Sequence, residues 1–136
     1  MPNLLPLDKQ LMKDWIAALR SGKYKQGYHQ LHISFAGIPQ DEFCCLGVLC
    51  EIAVEKKMLI RSSREHYTDA QTNDKLFTDL AGFKEKIGLP DGIEEYLVRL
   101  NDGQRDHSGH DIEATRKTFN EIADYIEKEI LRGENN

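Results

Sequence analysis

The sequence predicts an α+β fold: a mostly helical single domain with a small β-sheet packed around a buried central helix. Three observations carry this. Residues 43–54 are apolar almost without a break, apolar residues recur at helical spacing near both ends of the chain, and Leu31, Ile33 and Phe35 alternate with polar neighbours. A chain of 136 residues, 40% of them hydrophobic and 30% charged, suits one domain with its own core. The domain is expected over residues 1–132, with 133–136 as a disordered tail.

The first helix is expected from about Lys9 to Ser21. Asp8 offers an N-cap, Leu11, Trp15, Ile16 and Leu19 make one stripe, and Gly22 ends it. A strand follows Gly27, because Leu31, Ile33 and Phe35 share one face of an extended segment. Gly37 and Pro39 close it.

The central helix is expected over about 42–57, capped by Asp41. A helix apolar on nearly every side is a buried one. Gly47 inside it costs about 1 kcal/mol against Ala, which points to a close backbone approach. Met58, Leu59 and Ile60 suggest a short strand. Residues 61–72 read as a polar excursion, and Leu76, Phe77 and Leu80 as a short helix ending near Gly82.

Asp91 then caps a helix whose face is Ile93, Tyr96, Leu97 and Leu100, with Gly103 as its stop. A polar loop covers Gln104–His110. The last helix is expected over about Asp111–Arg132, with Phe119, Ile122, Ala123, Ile126 and Ile130 inward. Trp15 and Phe119 read as core.

Charge narrows the function classes. Eighteen Lys and Arg stand against 23 Asp and Glu, a net charge of -5. Residues 91–136 hold six basic and twelve acidic groups, a balance that repels phosphate chains and argues against duplex nucleic acid. No apolar run approaches the roughly 20 residues that span a bilayer, so no membrane partner is expected. Cys44, Cys45 and Cys50 crowd into seven residues, and an odd, tight cluster suits a reducing compartment; the expected location is the cytoplasm.

Three constellations could carry chemistry. Cys44 and Cys45 fall in the first turn of the expected central helix, where the dipole favours a thiolate. Gln26 could donate to an oxyanion and His66, His107 or His110 could act as base, an order similar to papain-like hydrolases without their Cys-Gly-Ser-Cys-Trp signature. The plain reading of those cysteines is buried filler. Asp106, His107, His110 and Asp111 form the second set, a possible metal group. Adjacent Cys44 and Cys45 cannot both easily reach one ion, and His29 and His32, three apart on a strand, face opposite ways. The loop reads better as a polar start to the last helix, so neither metal nor cofactor is expected.

The third set is a binding site. Lys23, Lys25 and Gln26 precede Gly27, which lets backbone amides approach a ligand, and Tyr24 or Tyr28 could stack. Asn101 and Asp102 read as a turn that could also present polar groups to a pocket.

The order of these segments resembles a family of small phage- and prophage-encoded proteins. The resemblance rests chiefly on Lys25-Gln26-Gly27 and on Cys44-Cys45-Leu46-Gly47-Val48-Leu49-Cys50. Leu89-Pro90, Leu100-Asn101-Asp102 and Phe119-Asn120-Glu121-Ile122-Ala123 add to it. Residues 61–88 and the insertion Arg105–Ala114 depart from it. It implies a phage accessory or host-interference role and supplies no reaction. The expected function is therefore binding, either of a host partner protein or of a small anionic, nucleotide-like ligand at Lys23, Lys25, Gln26, Gly27, Asn101 and Asp102. The rival is a hydrolase or transferase using Cys45 or Cys44; a homo-oligomer joined through an apolar patch is the third possibility.

Overall fold

The computed structural model describes residues 6–34, 37–62, 66–76 and 78–132. Phe35, Phe77 and the tail 133–136, each part of an expectation above, lie outside those residues. The described chain forms one small α+β domain.

Helix α1 spans Lys9–Arg20. Asp8 caps it by accepting from the Leu11 amide at 3.0 Å, and Ser21 closes it through its hydroxyl to the Ala18 carbonyl at 2.6 Å. Its inward face is Leu11, Met12, Trp15, Ile16 and Leu19. Three very short strands follow: β1 (Lys25–Gln26), β2 (His32–Ile33) and β3 (Glu42–Phe43). They form one sheet in the order β1-β3-β2. β1 runs parallel to β3, with Gln26 opposite Phe43, and β2 runs antiparallel, with His32 opposite Phe43. The expected alternation holds only in part. Leu31 is buried, but so is His32, which stacks on Phe43 at 4.8 Å and bonds through Nε2 to Asp41 Oδ2 at 2.7 Å.

That bond corrects the start of the central helix. Asp41 is occupied with His32, residues 42–43 are strand, and α2 spans Cys45–Glu55 with Cys44 as N-cap. All residues from Cys45 to Ala53 are buried, as an all-round apolar helix requires. Helix α1 packs along it, and the Trp15 indole N–H donates to the Cys45 carbonyl at 2.9 Å. Gly47 has the close approach that its place in a helix suggested: a Cβ there would stand 1.7 Å from the Leu31 carbonyl oxygen.

The stretch read as a polar excursion is a second sheet. Strands β4 (Leu59–Arg61), β5 (Tyr67–Asp69) and β6 (Lys75–Leu76) pair antiparallel in that order. Tyr67 and Asp69 point inward while Thr68 is half-buried, a two-residue alternation. The Tyr67 hydroxyl donates to Glu51 of α2 at 2.6 Å, and Arg61 also grips that carboxylate. Leu76 belongs to β6 rather than to a helix; the short helix α3 comes later, at Phe83–Lys86, after Gly82. Burial works against a charge on Asp69, but Lys86 Nζ at 2.9 and 3.0 Å and the Gln71 and Thr72 amides hold its pKa below the usual carboxylate value.

Helix α4 spans Ile93–Asp102, between Gly92 and Gly103, both at positive φ. Asp91 is not its cap. The expected loop at Gln104–His110 is partly a ribbon, β7 (Gln104–Arg105) paired antiparallel with β8 (Asp111–Ile112). The last helix therefore starts later than expected. A 3-10 turn covers Glu113–Thr115, and α5 (Phe119–Tyr125) begins at a capping box of Thr118 with Glu121. It widens into a π-helical stretch over Ile126–Leu131. Helix α5 packs on α1, where Arg20 bridges to Asp124 at 2.7 Å and Glu127 at 3.2 Å.

No helix among the described residues is long and apolar enough to cross a membrane.

Replacing Gly47 by Ala forces a methyl into the Leu31 carbonyl. We expect Gly47→Ala to cost about 3 kcal/mol or more, at the upper end of overpacking. A urea titration checks this: the midpoint falls while the slope stays unchanged. A loss below about 1 kcal/mol would mean that the segment at Leu31 yields easily.

Candidate functional site

Helix α4 has the expected period, with Leu97 buried and Ile93 and Leu100 packed against the core, but its inward face is turned further toward polar residues. Its buried residues are Glu94, Leu97 and Asn101, at spacings of three, four and seven, whereas Tyr96 is 47% exposed. Two of the three inward residues are polar, and a buried polar group is stable only when its hydrogen bonds are met. Glu94 accepts from the Leu80 amide at 2.5 Å and from Lys84 Nζ at 3.2 Å, which anchors the segment before α3.

Asn101 does more. Its Oδ1 accepts from Gln26 Nε2 at 2.9 Å and from the Cys45 amide at 3.1 Å. Its Nδ2 donates to the Gly27 carbonyl and to Asp102 Oδ1, both at 2.9 Å. Two lone pairs and two N–H bonds are all that a primary amide possesses, and all four are used. Gln26, Gly27, Cys45, Asn101 and Asp102, separate candidates in the sequence, thus meet at one point.

Around that point lies a cleft. Asp102 also accepts from the His29 amide at 3.0 Å, and His29 adopts a left-handed φ of 73° there. The His29 ring has Nε2 3.0 Å from Asp111 Oδ2 and Nδ1 3.6 Å from Asp102 Oδ2. His29, Val98, Asp102 and Arg105 line two adjoining hollows. The wider, about 480 Å³, also has Lys84, Glu95 and Arg99 on its walls. The deeper, about 330 Å³, reaches Cys44, Cys45, Leu46 and Asn101.

The cysteines at that floor are held as thiols. Burial pushes the Cys44 thiol up to about 12, despite nearby backbone amides of Leu46 and Gly47 that favour the thiolate. Burial pushes Cys45 and Cys50 well above the ordinary thiol value too. Cys45 spends its S–H on the Leu97 carbonyl at 3.7 Å. Its amide and carbonyl are taken by Asn101 and Trp15. None of the histidines named as candidate bases lines either hollow. His107 and His110 stand exposed beside β8, and His66 precedes β5. The imidazole that does reach the floor has a carboxylate at each ring nitrogen.

Lys23 and Lys25 line neither hollow. Lys25 pairs with Glu42 at 3.4 Å, across the β1–β3 register, and Lys23 lies 5.4 Å from the Tyr24 ring centre. The Gln26 side chain is committed to Asn101 and to the Lys117 carbonyl at 2.9 Å, which leaves its amide no role as an oxyanion donor. Asp106, read as a possible metal ligand, instead accepts from the Ser108 and His110 amides at 2.8 and 3.0 Å and shapes the ribbon's turn. Among the described residues no group of three or more His, Cys, Asp or Glu could hold a metal ion.

Sequence reasoning missed Arg99 and Arg105, and singled out His29 and Asp111 only as possible metal ligands. Asp111 meets His29, Arg105 Nε at 3.3 Å and Arg116 Nη2 at 3.4 Å. Burial opposes its charge, but the His29 bond and the two guanidinium groups bring its pKa below the usual carboxylate value. Arg116 is itself fixed, with Nε on the Asp102 carbonyl at 2.9 Å and its guanidinium 4.0 Å from the Tyr28 ring centre.

Asn101→Leu keeps the branching at Cγ and removes all four bonds, stranding a buried amide and a buried carbonyl. Each buried group left unpaired costs about 1–3 kcal/mol. We expect a stability loss of about 3 kcal/mol or more by chemical denaturation. The Asn101→Leu protein would also show altered amide shifts at Gly27 and Cys45; unchanged shifts there would refute the role assigned to this side chain.

No match is found among curated proteins or among solved structures. A family model for a domain of unknown function, DUF8296, matches residues 7–130, which takes in every element from α1 nearly to the end of the π-helical stretch. The chain belongs to the DUF8296 family.

Proposed function

We propose that this protein is a binding module that holds a small anionic, nucleotide-like ligand in the cleft beside α4. The observation that carries this is Arg99: it stands exposed on the wall of the wider hollow and has no ion-pair partner among the described residues. The other basic groups there are already engaged, Lys84 with Glu94, His29 with Asp102 and Asp111, and Arg105 with Asp111. An unpaired guanidinium on a concave wall is suited to a planar, bidentate oxyanion.

Volume and chemistry support the same reading. A hollow of about 480 Å³ falls within the range of small-molecule sites. Glu95 on the same wall can accept from hydroxyl or amino groups, and Val98 and Ala81 offer apolar surface. A ligand with a phosphate at one end and hydrogen-bond donors at the other matches that mixture. The resemblance to phage- and prophage-encoded proteins adds the setting: an accessory factor that sequesters such a ligand in the host cytoplasm.

The cysteine-dependent rival has Cys44 and His29 lining one hollow in its favour. It has against it a thiol held near pKa 12 and an imidazole flanked by two carboxylates. The thiolate, not the thiol, is the nucleophile.

Two measurements test this. Calorimetric titration of a nucleotide panel should give saturable binding, weakened about tenfold in Arg99→Gln, which corresponds to about 1.4 kcal/mol. Equal affinity in the variant, or silence across the panel, would overturn the proposal. Iodoacetamide at neutral pH should modify all three cysteines slowly, with Cys44 the first to react; a fast, stoichiometric reaction would favour the rival.

A further inference from the structure

Asp111 sits where an oxyanion of a ligand would be expected. Its carboxylate is met from three directions, by the imidazole of His29 at 3.0 Å, by Arg105 Nε at 3.3 Å and by Arg116 Nη2 at 3.4 Å. These donors come from different places: the loop after β1, strand β7, and the segment between the 3-10 turn and α5. Two of them, His29 and Arg105, also line both hollows of the cleft. We propose that His29, Arg105 and Arg116 form a phosphate-binding subsite of the cleft, and that Asp111 fills it as a built-in substitute until a ligand phosphate displaces it. This rests on the small-anion reading above and adds to it where the phosphate goes and what it must compete with.

The physical case has three parts. First, two guanidinium groups and an imidazole converge on this single carboxylate. With Asp111 withdrawn, Arg105 keeps no other ion pair among the described residues, and Arg116 keeps only Glu113, 3.7 Å from Nη1 and 80% exposed in its side chain. A phosphate brings more charge and more acceptor oxygens to the same donors than a carboxylate can. Second, the present occupant is weakly held. The side chains of Arg105 and His29 are 61% and 43% exposed, and ion pairs open to solvent contribute little. Third, the occupant sits on a short, exposed ribbon. β7 and β8 are two residues each, joined by an exposed turn, and Arg105 and Asp111 are register partners across that ribbon. Arg116 is fixed by the Asp102 carbonyl and the Tyr28 ring, and the His29 amide is held by Asp102, so these donors keep their places when the Asp111 side chain swings away.

The test compares wild type with Asp111→Asn for inorganic pyrophosphate and, in parallel, a nucleoside diphosphate, by calorimetry at fixed ionic strength. The expected result is at least tenfold tighter binding in Asp111→Asn for both probes, since the subsite reads phosphate oxygens alone. Adding Arg116→Gln should cancel the gain. A second measurement needs no variant: saturating wild type with pyrophosphate should speed amide exchange at Arg105 and Asp111 while leaving α2 unchanged. Binding by wild type with no gain in Asp111→Asn and no change in ribbon exchange overturns the subsite yet leaves the cleft reading standing. Absence of binding by wild type and by Asp111→Asn alike overturns both.

Discussion

A primary amide with four hydrogen bonds has no tolerance for any geometry but one. Asn101 is such an amide: rotating it end over end would set N–H against the Gln26 and Cys45 donors and oxygen against the Gly27 carbonyl and Asp102. Its burial is therefore a constraint on three separate segments at once. It fixes which face of α4 turns inward, holds the start of α2 against that face, and sets the path of the chain between β1 and His29. Glu94, two turns earlier on the same face, does the same for the segment before α3. The inward face of α4 is a polar bracket rather than a greasy stripe, and the cleft is the space that the bracket leaves.

That polar face explains where the sequence was readable. Helix α1 could be placed because its caps and its apolar stripe are local signals, and α2 because an uninterrupted apolar run has one plausible home. Gly47 announced a close backbone contact, although not that Leu31 would make it. The phase of α4 was hidden, because apolar residues at Ile93, Tyr96 and Leu100 suggested a face that buries neither Glu94 nor Asn101. What turns the helix is a set of backbone groups 56 and 74 positions away, which no local pattern contains. The strands at Tyr67 and Lys75 were too short to register against their polar neighbours. The true start of α5 was legible in the Thr118 and Glu121 capping box, and the polar run before it drew attention away.

The site itself was half legible. Gln26, Gly27, Cys45, Asn101 and Asp102 are each conspicuous in the sequence, and they converge to frame the cleft. Lys23 and Lys25 were chosen for charge alone, and charge at a strand edge is spent most easily on the neighbouring strand, here on Glu42. His29 stands out in the sequence only as half of a His-x-x-His spacing, because its role comes from Asp102 and Asp111, far along the chain. The sulfurs follow the same logic. Their setting at the start of a helix favours a thiolate, and burial outweighs it, because removing a charge from water costs more than a helix terminus returns.

The pairing of β1 with β3 has a consequence for how the protein is made. Two parallel strands of two residues have no stability of their own. Gln26, at the edge of that pair, is secured by Asn101 and by the Lys117 carbonyl, 75 and 91 positions downstream. A nascent polypeptide leaving the ribosome can form α1 and α2 early, but the segment that carries Gln26 must wait until Lys117 has cleared the exit tunnel. The β1 edge of the cleft's frame is thus set late, after the chain has emerged as far as Lys117.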